Sequence, residues 1–307
     1  MKTVVIGAGG VGGYFGGLLA EHYAGKPKEE VVFIARGDHG NQIRTHGLTL
    51  ITDTETRIIK PTAVLSHLTE CGIADLVLIA VKNYHLEDLI PQIRSICNEK
   101  TVIIPLQNGI GNFSMLQQAR LPGKLCDGLV YVISEIQSPG IIRRQGSVQK
   151  LIFGREGGPV EDLKAVESYL ADAGISVVLS DHPTRYKWLK FQFIGALSAV
   201  TAAHDKTIGE VLDNPKTSEA FINIMEEIEF VAAATGIQLP ETATHKSYEI
   251  AKNSPPHATT SFQRDFKAGK PNELEAYLGN FIKIAKEKEI PVLVTESYYK
   301  ELKKRSK

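Results

Sequence analysis

Apolar and polar positions in the first half of the chain follow two periods in turn. Short apolar runs at 2–6, 31–35, 75–81 and 101–106 read as strands, and stretches near 11–22, 86–97 and 110–119 carry helical spacing. This alternation predicts βαβ units and a parallel sheet covered on both faces. Segments 48–51 and 57–59, bracketing Asp53-Thr54, read as a hairpin or a short irregular connection. Runs at 125–136, 141–143 and 148–153 are strand-like, with Ser138-Pro139-Gly140 as a turn, and a helix (161–173) and a strand (175–179) close this half. At Asp181-His182-Pro183 the pattern changes. Helical spacing then continues through 184–203, 215–235, 241–252, 271–288 and 293–304, punctuated by Asn214-Pro215, Gly236, Pro240, Pro255-Pro256, Pro271 and Pro291. An α/β domain is expected over 1–181 and an all-helical one over 182–307, with their junction as the expected place for chemistry.

The first strand ends in Gly7-Ala8-Gly9-Gly10-Val11-Gly12, and a helical pattern follows at once. Strand, glycine turn and helix in that order are the context of a Rossmann-type dinucleotide site. Gly7 permits a tight turn, Gly9 lets the backbone approach a pyrophosphate, and Gly12 lets the helix pack on its strand. The free N–H groups and the positive end of the helix dipole then face the phosphates. The residue after the second strand selects the cofactor, because a carboxylate there binds a ribose 2′-OH and an arginine pairs with a 2′-phosphate. The chain has Arg36-Gly37 at that place, which predicts NADPH. Lys82 and Asn108 end the next two strand candidates, where ligands of open α/β sheets collect. Lys82 can hold a substrate carboxylate or a cofactor phosphate, and the Asn108 amide suits ribose, carboxamide or substrate. A surface lysine and a turn-forming Asn-Gly are the alternatives.

Composition narrows the field without adding chemistry. The 307 residues are 43% hydrophobic and 23% charged, with Lys+Arg and Asp+Glu both at 35, so no net charge argues for nucleic acid or an anionic membrane. Cys71, Cys97 and Cys126 form neither a metal nor a disulfide pattern, and the histidines make no ligand-spaced set, so no metal is expected. With no long apolar run and no room for a signal peptide before the first strand, a cytoplasmic protein is expected. A homodimer is compatible with the helical half, although no apolar stripe marks a face for it.

Trp188-Leu189-Lys190-Phe191-Gln192-Phe193-Ile194 opens the helical half. Lys190, Ile194, Leu197, Ser198 and Thr201 share one helical face, so polar groups stand where a purely buried face would have none. A lysine in a partly desolvated cleft has its pKa lowered and can donate a proton near neutrality. Lys187, one turn away, is not separated from Lys190 by pattern.

Taken together, these motifs resemble the ketopantoate reductase (2-dehydropantoate 2-reductase) family over nearly the whole chain. The carriers are the glycine turn, Ala35-Arg36-Gly37, Val81-Lys82, Leu106-Gln107-Asn108-Gly109, Pro139-Gly140 with Gly146, and Trp188-Leu189-Lys190. A late stretch from Thr260-Ser261-Phe262-Gln263-Arg264-Asp265 to Asn272-Glu273-Leu274-Glu275 completes them. The resemblance implies NADPH-dependent reduction of 2-dehydropantoate, a 2-oxo acid, on the route to pantothenate and coenzyme A. It also implies Lys190 as general acid, Asn108 at cofactor and substrate, and Lys82 beside the nicotinamide. Ser261 is implied on the substrate, Glu273 near the cofactor and the substrate hydroxyl, and Asp265 in a structural role. The chain departs from the family at four asparagine positions, which are Ile194, Ser198, Ile208 and Ala258 here. Ser198 can still give the substrate one hydrogen bond. A reductase of another, more apolar 2-oxo acid and a catalytically silent NADP(H)-binding sensor are therefore alternative expectations. A 3-hydroxy acid or opine dehydrogenase of the same two-domain plan is disfavoured by the Lys190 helix and the Ser261–Glu273 stretch.

Overall fold

In the computed structural model, which describes residues 1–306, the chain forms two compact units. The first comprises Met1–Gln107 and Asn112–Pro183; the second takes Asn108–Gly111 together with the chain from Thr184 onward.

The first unit is built on eleven strands: β1 (Lys2–Ile6), β2 (Glu30–Ile34), β3 (Leu48–Ile51), β4 (Thr56–Ile59), β5 (Ala63–Leu65), β6 (Leu76–Ile79), β7 (Val102–Pro105), β8 (Lys124–Leu125), β9 (Asp127–Ser138), β10 (Ile141–Gly154) and β11 (Val177–Ser180). Six of them make a parallel sheet in the order β5-β2-β1-β6-β7-β8. The chain order reverses between β1 and β6, which makes the carboxyl edge beside them the switch point where such sheets bind ligands. A second sheet runs β11-β10-β3-β4, with β9 antiparallel to β10. Helices α1 (Gly10–His22), α2 (Gly37–His46), α3 (Leu86–Ser95), α4 (Asn112–Gln118) and α5 (Lys164–Asp172) complete the unit. Successive β1 residues feed opposite apolar layers, Val5 one and Val4 and Ile6 the other. The near-continuous apolar strands follow from this two-sided burial.

Three features differ from the sequence expectations. The runs at 125–136, 141–143 and 148–153 are two long strands, because the polar stretch between the last two stays in β10 with a register shift between Gln145 and Gln149. Segment 37–46 is helical although it shows no apolar face, since only Gly40 and Ile43 are buried in α2. The short strand β5 extends the parallel sheet beyond the expected four strands.

The second unit holds α6 (Pro183–His204, from Thr184), α7 (Ile208–Asp213), α8 (Pro215–Ala234), α9 (Ala243–Lys252), α10 (Ser261–Lys267), α11 (Asn280–Glu287) and α12 (Leu293–Arg305). Its core is its own, with Trp188, Phe191, Phe221, Phe262 and Phe281 all buried. The expected single helix over 271–288 is corrected. The chain is non-helical through Glu273, Asn272 caps Leu274 N–H through Oδ1 at 3.2 Å, and a π-helical turn, Glu275–Gly279, precedes α11.

Candidate active site

The glycine turn does its work by what it leaves empty as well as by what it packs. Gly7 has φ +93°, a conformation closed to most side chains, and its N–H bonds Ile34 carbonyl at 3.1 Å. A Cβ at Gly12 would run into the Gly7 carbonyl and Ala80, so α1 could not pack where it does. A Cβ at Gly9 would meet nothing within 4 Å. Open space at that one glycine is what a backbone approached by a ligand requires.

A cavity of about 350 Å³ opens there, bordered by Gly7–Gly9 and by Arg36 at the end of β2. His39, His67 and His85 also line it, and no carboxylate does among the described residues. Arg36 is the N-cap residue of α2, and Lys82 occupies the same place before the turn Asn83–His85, one residue past Val81 of the cavity wall. The group of residues can hold a dinucleotide carrying a 2′-phosphate, through N–H groups at the head of α1 and the Arg36 guanidinium.

His39 was not legible in the sequence. Its Nδ1 accepts the Gly140 N–H at 3.0 Å, so the proton sits on Nε2, which donates to the Ala8 carbonyl at 2.8 Å. The imidazole thus ties the middle of the glycine turn to the β9–β10 hairpin.

In the second unit, α6 and Asn108–Gly111 bring Lys190 and Asn108 together. Lys190 Nζ donates to Asn108 Oδ1 at 2.6 Å. Burial lowers the Lys190 pKa to about 7, and the ammonium of buried Lys187, one turn earlier, pushes the same way. The Asn108 amide favours the ionised form of Tyr277, which lies in the π-helical turn, against the larger effect of burial. Gly109, at φ +90°, places its backbone against Ala276 of that turn, with 3.0 Å from a built Cβ to the Ala276 carbonyl. Glu273 is buried and raises the Tyr277 pKa by its charge, second to burial itself. On α6, the buried Gln192 accepts from Ser247 at 3.2 Å and donates to Thr244 at 3.0 Å, which anchors the helix to α9.

The remaining expected residues are more scattered. Ser198 and Thr201 are buried on α6, and Thr201 Oγ1 lies 3.3 Å from Thr260 Oγ1, next to Ser261. Ser261 itself is exposed at the first position of α10. Ile208 and Ala258 meet through their backbones, N–H to carbonyl at 3.0 Å, and Ile194 and Ala258 pack on the apolar core.

A doubly covered parallel sheet with a glycine-turn cavity, and a helical unit presenting a lysine near neutrality, define an oxidoreductase of the nicotinamide type. The chain belongs to the ketopantoate reductase family. The model for ketopantoate reductase PanE/ApbA matches residues 3–157, and that for its C-terminal part matches 184–306. An uncharacterized oxidoreductase of Bacillus subtilis, YkpB, is 27% identical and covers 98% of both chains. The crystal structure of a PanE/ApbA family ketopantoate reductase from Ralstonia eutropha superposes with TM-score 0.89 at 27% identity, over 100% of this chain and 98% of that one. A D-mandelate dehydrogenase solved with NADH and anilino(oxo)acetate shares the fold, with TM-score 0.87 at 22% identity over 100% and 98% of the two chains. No helix among the described residues is long and apolar enough to cross a membrane.

Proposed function

We propose that this chain reduces a branched 2-oxo acid with NADPH, with 2-dehydropantoate to pantoate as the leading reaction. The observation that carries the reading is Lys190, an ammonium brought down to about 7 and held at 2.6 Å by Asn108. Gly7–Gly12, Arg36 and Lys82 would hold NADPH, which when bound would supply the hydride for the ketone carbon. Lys190 holds the proton at Nζ and delivers it to the ketone oxygen as negative charge grows there. Asn108 fixes the direction of that proton, Ser198 and Ser261 bind the substrate, and Glu273 orients the lysine or a substrate hydroxyl. The reading places the enzyme in the cytoplasm, on the route to pantothenate and coenzyme A, as a homodimer.

The test is loss of NADPH absorbance on mixing with 2-dehydropantoate and a panel of branched, straight and aromatic 2-oxo acids. Lys190→Ala is expected to lower kcat by roughly 10²- to 10⁴-fold, the usual contribution of a general acid, with NADPH binding kept. Near-normal turnover in that variant overturns the assignment. Ile194, Ile208 and Ala258 favour a second reading, in which the preferred acid is more apolar than 2-dehydropantoate. A higher kcat/KM for an acid lacking the hydroxyl would select it. NADPH bound but oxidised by none of the panel would select a silent sensor.

A further inference from the structure

Around the glycine turn, the peptide units before and after Ala8–Gly9 are held by backbone alone. Gly7 N–H donates to the Ile34 carbonyl at 3.1 Å, the Gly7 carbonyl packs on Gly12, and the Gly9 carbonyl accepts Gly13 N–H at 2.6 Å. The Ala8 carbonyl between them has no backbone N–H partner among the described residues and takes a side chain instead, Nε2 of His39 at 2.8 Å. We propose that His39 is a positioning residue for the cofactor, holding the Ala8 carbonyl against the flank of α1 and so keeping it off the face of the turn that receives the phosphates. The inference rests on the NADPH reading above and deepens it.

Both partners of the imidazole have fixed roles. Gly140 N–H can only donate, at 3.0 Å to Nδ1, and the Ala8 carbonyl can only accept. Neutral imidazole with its proton on Nε2 satisfies both, and neither the other tautomer nor the imidazolium does. The ring is backed by an anchored turn, since the Gly140 carbonyl accepts Thr49 N–H of β3 at 2.9 Å. The direction of the Ala8 carbonyl follows from its other neighbours. A Cβ at Gly13 would lie 2.9 Å from the Ala8 oxygen and 2.7 Å from Ile142 of β10, so the oxygen lies beside the first turn of α1. No peptide among the described residues is cis, so Gly9 N–H points the opposite way. Turned over, this peptide would bring its oxygen to the side where the head of α1 offers N–H groups, and would repel a phosphate there. The imidazole N–H opposes that turn by giving the oxygen a partner where it stands.

The experiment measures NADPH affinity by fluorescence titration. In the protein without cofactor it also follows the Gly9 amide signal, picked out by NMR with ¹³C-carbonyl alanine and ¹⁵N-glycine labels. Ala24–Gly25, Ala173–Gly174 and Ala268–Gly269 carry the same label pair and serve as controls. His39→Gln places an amide N–H near the position of Nε2 and gives up the acceptor for Gly140. His39→Asn places an acceptor near the position of Nδ1 and gives up the donor to Ala8. His39→Gln is expected to keep the Kd for NADPH within about threefold and to leave the Gly9 signal near its place. His39→Asn and His39→Leu are expected to raise Kd about tenfold, the worth of one hydrogen bond, and to shift the Gly9 signal with the controls unmoved. Binding of NADPH by His39→Asn as tight as by the unmodified protein overturns the proposal, even if that variant melts earlier. So does an unmoved Gly9 signal in His39→Asn, or a loss of affinity in His39→Gln as large as in His39→Asn. If His39→Leu does not fold, the Gln and Asn pair decides. If the unmodified protein binds no NADPH, the NADPH reading fails, and the Gly9 signal still decides whether His39 holds the turn.

Discussion

With its pKa lowered to about 7 by burial, Lys190 is charged on the acid side of neutrality and neutral on the alkaline side. Reduction consumes a proton from Nζ, so its kcat is expected to hold below about pH 7 and fall about tenfold per unit above it, where chemistry is rate-limiting. Oxidation of the hydroxy acid needs the neutral amine and should show the opposite limb; pH profiles in both directions check this. The same group affects folding. Between 7 and the ordinary lysine value of 10.5 the unfolded chain binds the extra proton, so stability from this site rises with pH and is flat below the folded value. Lys190→Met should flatten that rise in denaturant titrations at neutral and alkaline pH. The cofactor preference also sits in one residue. Arg36→Glu reverses the charge offered to a 2′-phosphate and is expected to turn the kcat/KM preference from NADPH toward NADH. Arg36 and Lys190 could be picked out of the sequence because each stands at a position where chain chemistry departs from its surroundings. Tyr277 and His39 could not, since a tyrosine in an apolar run and a histidine in a polar one look like their neighbours.

The glycine turn separates two effects within a single element. Gly9→Ala adds a methyl group to open space, so its thermal midpoint should match the unmodified protein while NADPH affinity falls. Gly12→Ala forces α1 off its strand and should cost about 1–3 kcal/mol as overpacking, with affinity lost as a consequence. Calorimetry with and without NADPH distinguishes them. Strands β1, β2, β6 and β7 were legible because burial on both faces leaves their sequences apolar in near-continuous runs. Helix α2 was not, because it buries two residues only, and α7 and α10 are too short to show a period. The π-helical turn escaped for another reason: one extra residue per turn leaves no mark on a helical pattern that continues beyond it.

At the scale of the molecule, the change of pattern near Asp181 shows in the sequence but the return of Asn108–Gly111 to the helical unit does not. Asn108 and Gly109 read as the end of a strand and Ile110 and Gly111 as the start of a helix, and only their packing assigns them elsewhere. Ile110 is buried in the second unit's core, and Gly111 has its backbone against Asn280. A fragment of residues 184–306 would lack both and is expected to melt broadly or not fold, as far-UV and near-UV circular dichroism would show. The consequence reaches to chimeras and to recombination. Joining the helical half of this chain to a relative's sheet at Thr184 would transplant the lysine while leaving its amide partner under the donor sheet's control. Transfer of the whole helical unit among such proteins therefore requires three crossovers, two of them flanking the four residues after Gln107.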